Sequence, residues 1–479
     1  MRFIKIFSLT LLLGLVLSGN FVHTAPDGTS WDSLVLKPDD RILILAPHPD
    51  DEILGCAGVI QKAVSLNLPL RIVFLTYGDS NQWAFMVYRK HPVVMPKAIE
   101  TMGVVRHDEA VAASAILGVG ASHLTFLGYP DFGTIDIWLN HWGTRPAYRS
   151  LLTRSRTVPY KDAFRYGAHY KGEEILQDII TVLRRFHPTK IFVSHPADHN
   201  GDHLAFYLFT RVALWEAKMD RFEIYPYLIH DLSWPRIKGD HPEEIIEPPS
   251  RMENSISWKN YFLPPSAIEK KREALEAHKS QYQSSKKYLL SFIRRNELFG
   301  DFPIMKLTKT ETLFNLSSGE EKNGGRMTQP PEELTEIERA AFVGIEWRGV
   351  QWKDDKLILS TRLSQPLAEG VEASIYIFGY RSDRYFAQMP KLHIKLGGLK
   401  YSVYDQTRLI PSDAVTVQRT AKEITIQLPL SLLGNPEKIL MSARTYLSEV
   451  PLDRASWRIL EINSLDETID TFTAPNPAF

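Results

Sequence analysis

Two short segments gather the side chains able to hold a metal ion and move a proton. They are His48-Pro49-Asp50-Asp51-Glu52 and Ser194-His195-Pro196-Ala197-Asp198-His199-Asn200-Gly201-Asp202-His203. An imidazole and three carboxylates crowd the first; the second adds three imidazoles and two carboxylates. Divalent zinc prefers a few nitrogen and oxygen donors with one position left for water. A His, an Asp and a His drawn from these segments make such an open site, and a carboxylate left over can take a proton from the attacking water. Taken alone, Asp50 or Asp51 has a blander reading as the cap of a helix starting near Glu52. Two distant segments sharing the same residue types favour the metal.

The elements around these segments place them together. RILILA (41–46) precedes the first and KIFV (190–193) the second, and each apolar run is followed by an amphipathic stretch. The alternation continues through LRIVFLT, HDEAVAASAILGV and HLTFLG, is interrupted by an aromatic-rich insertion at about 132–170, and resumes with EEILQDIITVLRRF. This spacing predicts an α/β fold with a Rossmann-like, mostly parallel sheet and helices on both faces over residues 38–306. Ligands in such sheets bind at the carboxyl ends of the strands, where both segments fall. No GxGxxG opens any of the helices, so a dinucleotide site has no support. Residues 307–336 turn polar and read as a linker. Residues 337–479 carry short strand-like runs between turns and predict an all-β, sandwich-like domain. Its Trp347, Trp352, Trp457, Tyr376, Tyr380 and Tyr385 are either core or a stacking platform for sugar rings.

The 479 residues hold 56 basic and 56 acidic side chains, which gives no electrostatic argument for nucleic acid or an anionic membrane. At the N-terminus Arg2 and Lys5 precede an apolar run from Ile6 to Leu17. That run is shorter than the roughly 20 residues of a spanning helix and predicts a signal peptide over residues 1–25, hence export to a periplasmic or extracellular space without a retained span. The single cysteine, Cys56, excludes an intramolecular disulfide and a cysteine zinc cage, and predicts a small buried hydrophobe.

The His48–Glu52 segment and the Asp202-His203 pair resemble the PIG-L/LmbE-like zinc N-deacetylases. Further matches run through Thr76-Tyr77-Gly78-Asp79, Arg106-His107-Asp108-Glu109 with Leu117-Gly118, Gly128-Tyr129-Pro130-Asp131, and Lys271 and Ala274 with His278-Lys279-Ser280-Gln281. The resemblance covers roughly Arg41 to Phe299. It implies that His48, Asp51 and His203 bind the metal, zinc or another divalent ion. It makes Asp50 the base that activates water and returns the proton to the departing amine, and sets Arg106 and Asp131 against the substrate. Many relatives place a His three residues before the last ligand, where this chain has Asn200. Asn200 or the neighbouring His199 is then the candidate to steady the oxyanion. His199, four residues before His203, is also a rival third ligand if both lie on one helical face. Thr76 and Asp79 are expected to shape the rim, and His230 and His278 to be core or to support the site.

The activity implied is hydrolysis of the acetamide of an N-acetylglucosamine-type sugar or glycan. Two alternatives keep the same fold: a noncatalytic glycan-binding protein, suggested by Asn200 and the added β domain, and an O-acetyl esterase using the same activated water.

Overall fold

The computed structural model describes residues 32–463 apart from 82–94, 232–233, 254–255, 310–311, 318–320, 323–324, 327–329, 331–333 and 399. The expected signal peptide lies outside the described residues, among which no helix is long and apolar enough to cross a membrane.

The first half is built on an eight-stranded sheet. Its strands are β1 (Asp32–Ser33), β2 (Ile42–Ala46), β3 (Leu70–Thr76), β4 (Leu124–Tyr129), β5 (Lys190–Ser194), β6 (Glu223–Tyr227), β7 (Trp258–Phe262) and β8 (Asn296–Gly300), ordered β1-β7-β8-β6-β5-β2-β3-β4. Every pairing is parallel except those of β8 with β6 and β7. Among the described residues seven helices pack with it: α1 (Asp51–Ser65), α2 (Pro96–Ile116), α3 (Thr134–Asn140), α4 (Gly172–Phe186), α5 (Gly201–Glu216), α6 (Pro265–Ala277) and α7 (Lys279–Leu290).

All five residues of β2 are buried, which is why its sequence is a continuous apolar run rather than an alternation. Ile42, Ile44 and Ala46 enter one core with Ile53 of α1, Ala110 of α2 and Leu275 of α6. Leu43 and Leu45 enter a second core with Ile137 of α3, Ile179 of α4 and Leu208 of α5. Helices therefore cover both faces, as the alternation predicts. From β2 the chain moves outward through β3 and β4, then returns to β5 and β6 on the other side. The crevice between β2 and β5 is the reversal point at which such sheets bind ligands.

The second half pairs two antiparallel layers. One holds Phe314–Asn315, Ile345–Lys353, Lys356–Leu363, Thr416–Arg419 and Glu423–Pro429; the other centres on Val371–Tyr380, Lys391–Gly397 and Lys438–Leu447. Leu359 and Ile426 from one layer meet Ile375 and Ile394 from the other in a shared core. This is the sandwich expected for the C-terminal half. Met305–Thr308 pairs in parallel with Arg458–Asn463, so the second layer begins two residues ahead of the polar 307–336 stretch read as linker and runs into it.

The aromatic platform does not form. Trp352, Trp457, Tyr376 and Tyr380 are buried. The outer face of the larger layer docks on the first half, and Tyr376, Phe378 and Trp457 share a core with Trp138 and Phe209. Of the six aromatics only Trp347 and Tyr385 reach solvent. Cys56 is fully buried, as expected.

Candidate metal centre

Beyond β2 the chain turns through Asp50, whose φ of 130° is rare for a residue with a side chain and marks a turn held by its surroundings. The Asp50 N–H donates to Glu52 Oε2 at 2.9 Å, and Glu52 Oε1 lies 3.1 Å from His278 Nε2, with both side chains fully buried. His278, at the junction of α6 and α7, thus props the turn through Glu52. The turn sends the adjacent aspartates different ways.

Asp51 joins His48 and His203. Asp51 Oδ2 is 3.2 Å from His48 Nδ1 and 3.1 Å from His203 Nε2, and those two nitrogens are 3.3 Å apart. An ion with ligand bonds of about 2.0–2.1 Å in tetrahedral surroundings keeps its donors about 3.3 Å apart, so these atoms outline one face of a zinc-sized tetrahedron. Each imidazole meets acid on its other nitrogen. His48 Nε2 lies 3.1 Å from Asp131 Oδ1 and 3.3 Å from Asp202 Oδ2, and His203 Nδ1 lies 3.1 Å from Asp198 Oδ2. A carboxylate behind an imidazole fixes the tautomer that leaves the inner nitrogen's lone pair for a metal.

The carboxylates are themselves anchored. Asp198 accepts from the backbone N–H groups of Asn200, Ile229 and His230. Asp202 accepts from Phe132 N, Thr134 N and the Thr134 hydroxyl. Asp131 accepts from Ser80 N.

The cluster demands positive charge. Burial works against ionisation, yet His203 and His48 hold the Asp51 carboxyl well below its usual range. Burial likewise disfavours imidazolium, but Asp198 and Asp51 raise His203 to about 9, and Asp131 leads the acids that push His48 well up. A divalent ion supplies the charge that protons otherwise bring, so the donor set fits zinc or a similar ion. His48, Asp131 and Asp202 form a second grouping with ligand-like spacing. The backbone donors already on Asp202 and Asp131 assign that grouping to holding His48.

Asp50 faces Arg106. Burial raises its carboxyl to about 6 even though the Arg106 guanidinium, 3.4 Å away, pulls it down. Arg106 spends Nη1 on Gly78 O at 2.8 Å and Nη2 on Pro49 O at 2.6 Å. Gly78 has φ +62°, and a Cβ there would stand 2.2 Å from Arg106 Nη1, so glycine is what lets the guanidinium lie across the turn. Thr76 bridges the two loops: its hydroxyl donates to Pro47 O and accepts from Gly78 N.

His48, Asp51 and His203 therefore come together as expected, with Asp50 adjacent; six other candidates lie as follows. His199 precedes α5, which starts at Gly201, so it shares no helical face with His203. It lines a small cleft with Arg251 and Arg454, and its Nδ1 is 3.8 Å from Asp231. Asn200 is the N-cap of α5, its Oδ1 accepting from Asp202 N at 2.8 Å. Asp131 backs His48, and the buried Arg106 contacts Asp50 and backbone carbonyls. Thr76 and Asp79 are buried wall, not rim.

Composition alone did not single out Asp198 and Asp202 as the groups orienting the imidazoles. His230, expected to be core or to support the site, has its ring edge-on to His203 with centroids 4.8 Å apart. Burial lowers His230 to about 4, and its Nδ1 is 3.3 Å from the Tyr288 hydroxyl. Phe132 projects into solvent beside the site, its ring 6.5 Å from that of His48.

Residues 43–214 match the family described as PIG-L: GlcNAc-PI de-N-acetylase. The chain is 32% identical over 105 residues to a 1D-myo-inositol 2-acetamido-2-deoxy-alpha-D-glucopyranoside deacetylase from Mycobacterium sp. (strain KMS), covering 21% of this chain and 32% of that protein. It is 32% identical over 96 residues to a probable N-acetyl-alpha-D-glucosaminyl L-malate deacetylase 2 from Bacillus anthracis, covering 20% of this chain and 38% of that protein. The chain spans about a third of the length of these curated relatives. Among solved structures, N,N'-diacetylchitobiose deacetylase from Pyrococcus horikoshii aligns at 17% identity over 54% of this chain and 82% of that one, with a TM-score of 0.34.

Proposed function

From the premise that the chain carries a PIG-L domain, we propose that it is an exported, metal-dependent N-deacetylase acting on the acetamide of an N-acetylglucosamine-type sugar or glycoconjugate. One observation carries the reading: a zinc-sized triangle of His48, Asp51 and His203 donors with the ionisable Asp50 carboxylate beside it. The printed names of the mycobacterial and Bacillus relatives specify acetamido- or N-acetyl-glucose conjugates, which supports the sugar class. Export rests on Arg2 and Lys5 ahead of the apolar Ile6–Leu17 run.

When bound, a divalent ion supplies Lewis acidity, making water acidic enough to ionise near neutral pH and polarising the acetamide carbonyl. Asp50 takes the proton of the attacking water and returns it to the nitrogen of the departing amine, releasing acetate. Arg106 keeps Asp50 ionised and pointed. Asn200 Oδ1 caps its helix, and His230 is the imidazole beside the donor triangle; neutral at working pH, it carries one N–H able to steady the tetrahedral oxyanion. The exposed Phe132 ring offers an apolar plane to the sugar at the mouth.

The test is acetate release from N-acetylated chitooligosaccharides by the zinc-loaded protein, with an O-acetylated substrate run in parallel. Asp50→Asn is expected to keep its metal and lose about 10²–10⁴ in turnover. Zinc-loaded wild type that releases no acetate, or Asp50→Asn with full activity, overturns the reading.

A further inference from the structure

The outer face of the larger β layer has two characters. At one end Tyr376, Phe378 and Trp457 dock on α3 and α5. At the other end the same face is polar, and it stands off from α3 to leave a groove of about 600 Å³ between the halves. One wall is Ile135, Asp136, Leu139, Asn140 and Arg145; the other is sheet, including Ser374, His393, Lys395, Arg444 and Tyr446.

Arg444 is the unusual member. It is 8% exposed and sits in the central strand Lys438–Leu447. Its Nε and Nη2 have no hydrogen-bond partner, no carboxylate among the described residues pairs with it, and its Nη1 makes one long contact, 3.5 Å, to the Tyr446 hydroxyl. A buried guanidinium is normally satisfied by an acid or by carbonyls, so this one lacks an anionic partner that the fold does not provide.

Two more cations converge on the same spot. Ser374 registers with both Arg444 and Lys395 on neighbouring strands, and Arg145 reaches in from the opposite wall. Their common neighbour is His393, whose imidazole is driven down to about 3 by burial and then by Lys395, Arg444 and Arg145 together. The rest of the lining is hydrogen-bonding surface, including Tyr404, Gln406 and Thr407, with three carboxylates, Asp136, Glu372 and Glu449. Hydroxyl-matching groups around a cationic seat, with acids nearby that oppose a dianion, suit a sugar carrying a single negative charge better than a phosphate.

We propose that this groove binds an acidic saccharide, its carboxylate taken by Arg444 with Lys395 and Arg145 and its hydroxyls by the surrounding polar side chains. The groove also communicates with the metal centre. Thr134, opening α3, holds Asp202, and the next residue, Ile135, lines the groove. That the bound saccharide is also the one deacetylated rests on the function proposed above; affinity for the acidic sugar does not.

The test compares binding of a tetrasaccharide alternating N-acetylglucosamine and glucuronate with that of neutral chitotetraose, by calorimetry on the zinc-loaded full chain. The acidic probe is expected to bind about tenfold tighter or better, with the advantage lost in Arg444→Gln and in Lys395→Glu and kept in Asp50→Asn. Lys395 is exposed, so its variant keeps the fold if the buried Arg444 variant does not. Equal affinity for the two probes, or an advantage that survives both groove substitutions, overturns the proposal. Arg444-dependent binding without acetate release leaves the groove standing and removes the deacetylase reading. Acetate release with equal binding of both probes does the reverse.

Discussion

The Arg106 guanidinium stands 3.4 Å from the Asp50 carboxylate with its Nη atoms fixed on Gly78 O and Pro49 O, so its charge is held in place against the acid proposed to move a proton. Burial raises Asp50 to about 6, and Arg106 is the largest influence opposing that rise. A base works when deprotonated, so kcat/KM is expected to fall as pH drops through the Asp50 pKa. Arg106→Met removes the opposing cation, raises that pKa and moves the acid limb to higher pH. A bound metal lowers the limb in both proteins and leaves their difference. A pH–rate profile of Arg106→Met that superimposes on wild type contradicts this role; so does one that shifts only in amplitude.

Asp198 stands behind His203 at 3.1 Å, braced by three backbone N–H groups, and the His203 imidazole above all keeps its carboxyl ionised against burial. Asp198→Asn keeps the shape but weakens the imidazole as a ligand. Zinc affinity, measured against a competing chelator, is expected to drop by about 10–100-fold, with activity recovering substantially at saturating zinc. His199→Ala, facing the cleft by Arg251, is expected to leave zinc affinity unchanged. The opposite pattern would make His199 the ligand.

Much of the first half was legible because β2 and β5 are buried along their whole length and so appear as uninterrupted apolar runs, each ending in its His/Asp segment. Strand carboxyl ends then bring His48, Asp51 and His203 to one place. The carboxylates behind the imidazoles were less legible, because Asp131 and Asp202 reach His48 only through tertiary packing. Asn200 carries a role that the sequence also admits: an Asn just ahead of a helix has an ordinary capping role. The aromatics of the second half misled because alternation shows which residues share a face, not that another domain covers that face.

The cap gives Asn200 a clean test. Its Oδ1 accepts from Asp202 N at the start of α5, and Asn200 lies three residues before His203 of the donor triangle. Asn200→Ala is expected to cost about 1 kcal/mol of stability in denaturant titrations, while Asn200→Ser and Asn200→Asp cost much less. All three are expected to retain kcat within a few-fold. A loss in Asn200→Ala near the 10²–10³-fold typical of a missing oxyanion donor restores Asn200 to the chemistry.

Trp138 ties the halves together. Its ring is fully buried, with centroids 5.0 Å from Phe209, 5.7 Å from Phe378 and 5.8 Å from Trp457, so a helix of the first half and a strand of the second share one packed cluster. Trp138→Ala opens a cavity in that cluster and is expected to cost about 3–5 kcal/mol. Tyr385→Ala, at a ring 71% exposed, is expected to stay within about 0.5 kcal/mol of wild type. Because the cluster spans the junction, wild type should unfold with coincident fluorescence and circular-dichroism transitions, and Trp138→Ala should pull them apart. Coincident transitions at an unchanged midpoint in that variant would mean that the halves do not depend on this contact, and the groove beside it would then have no fixed opposite wall.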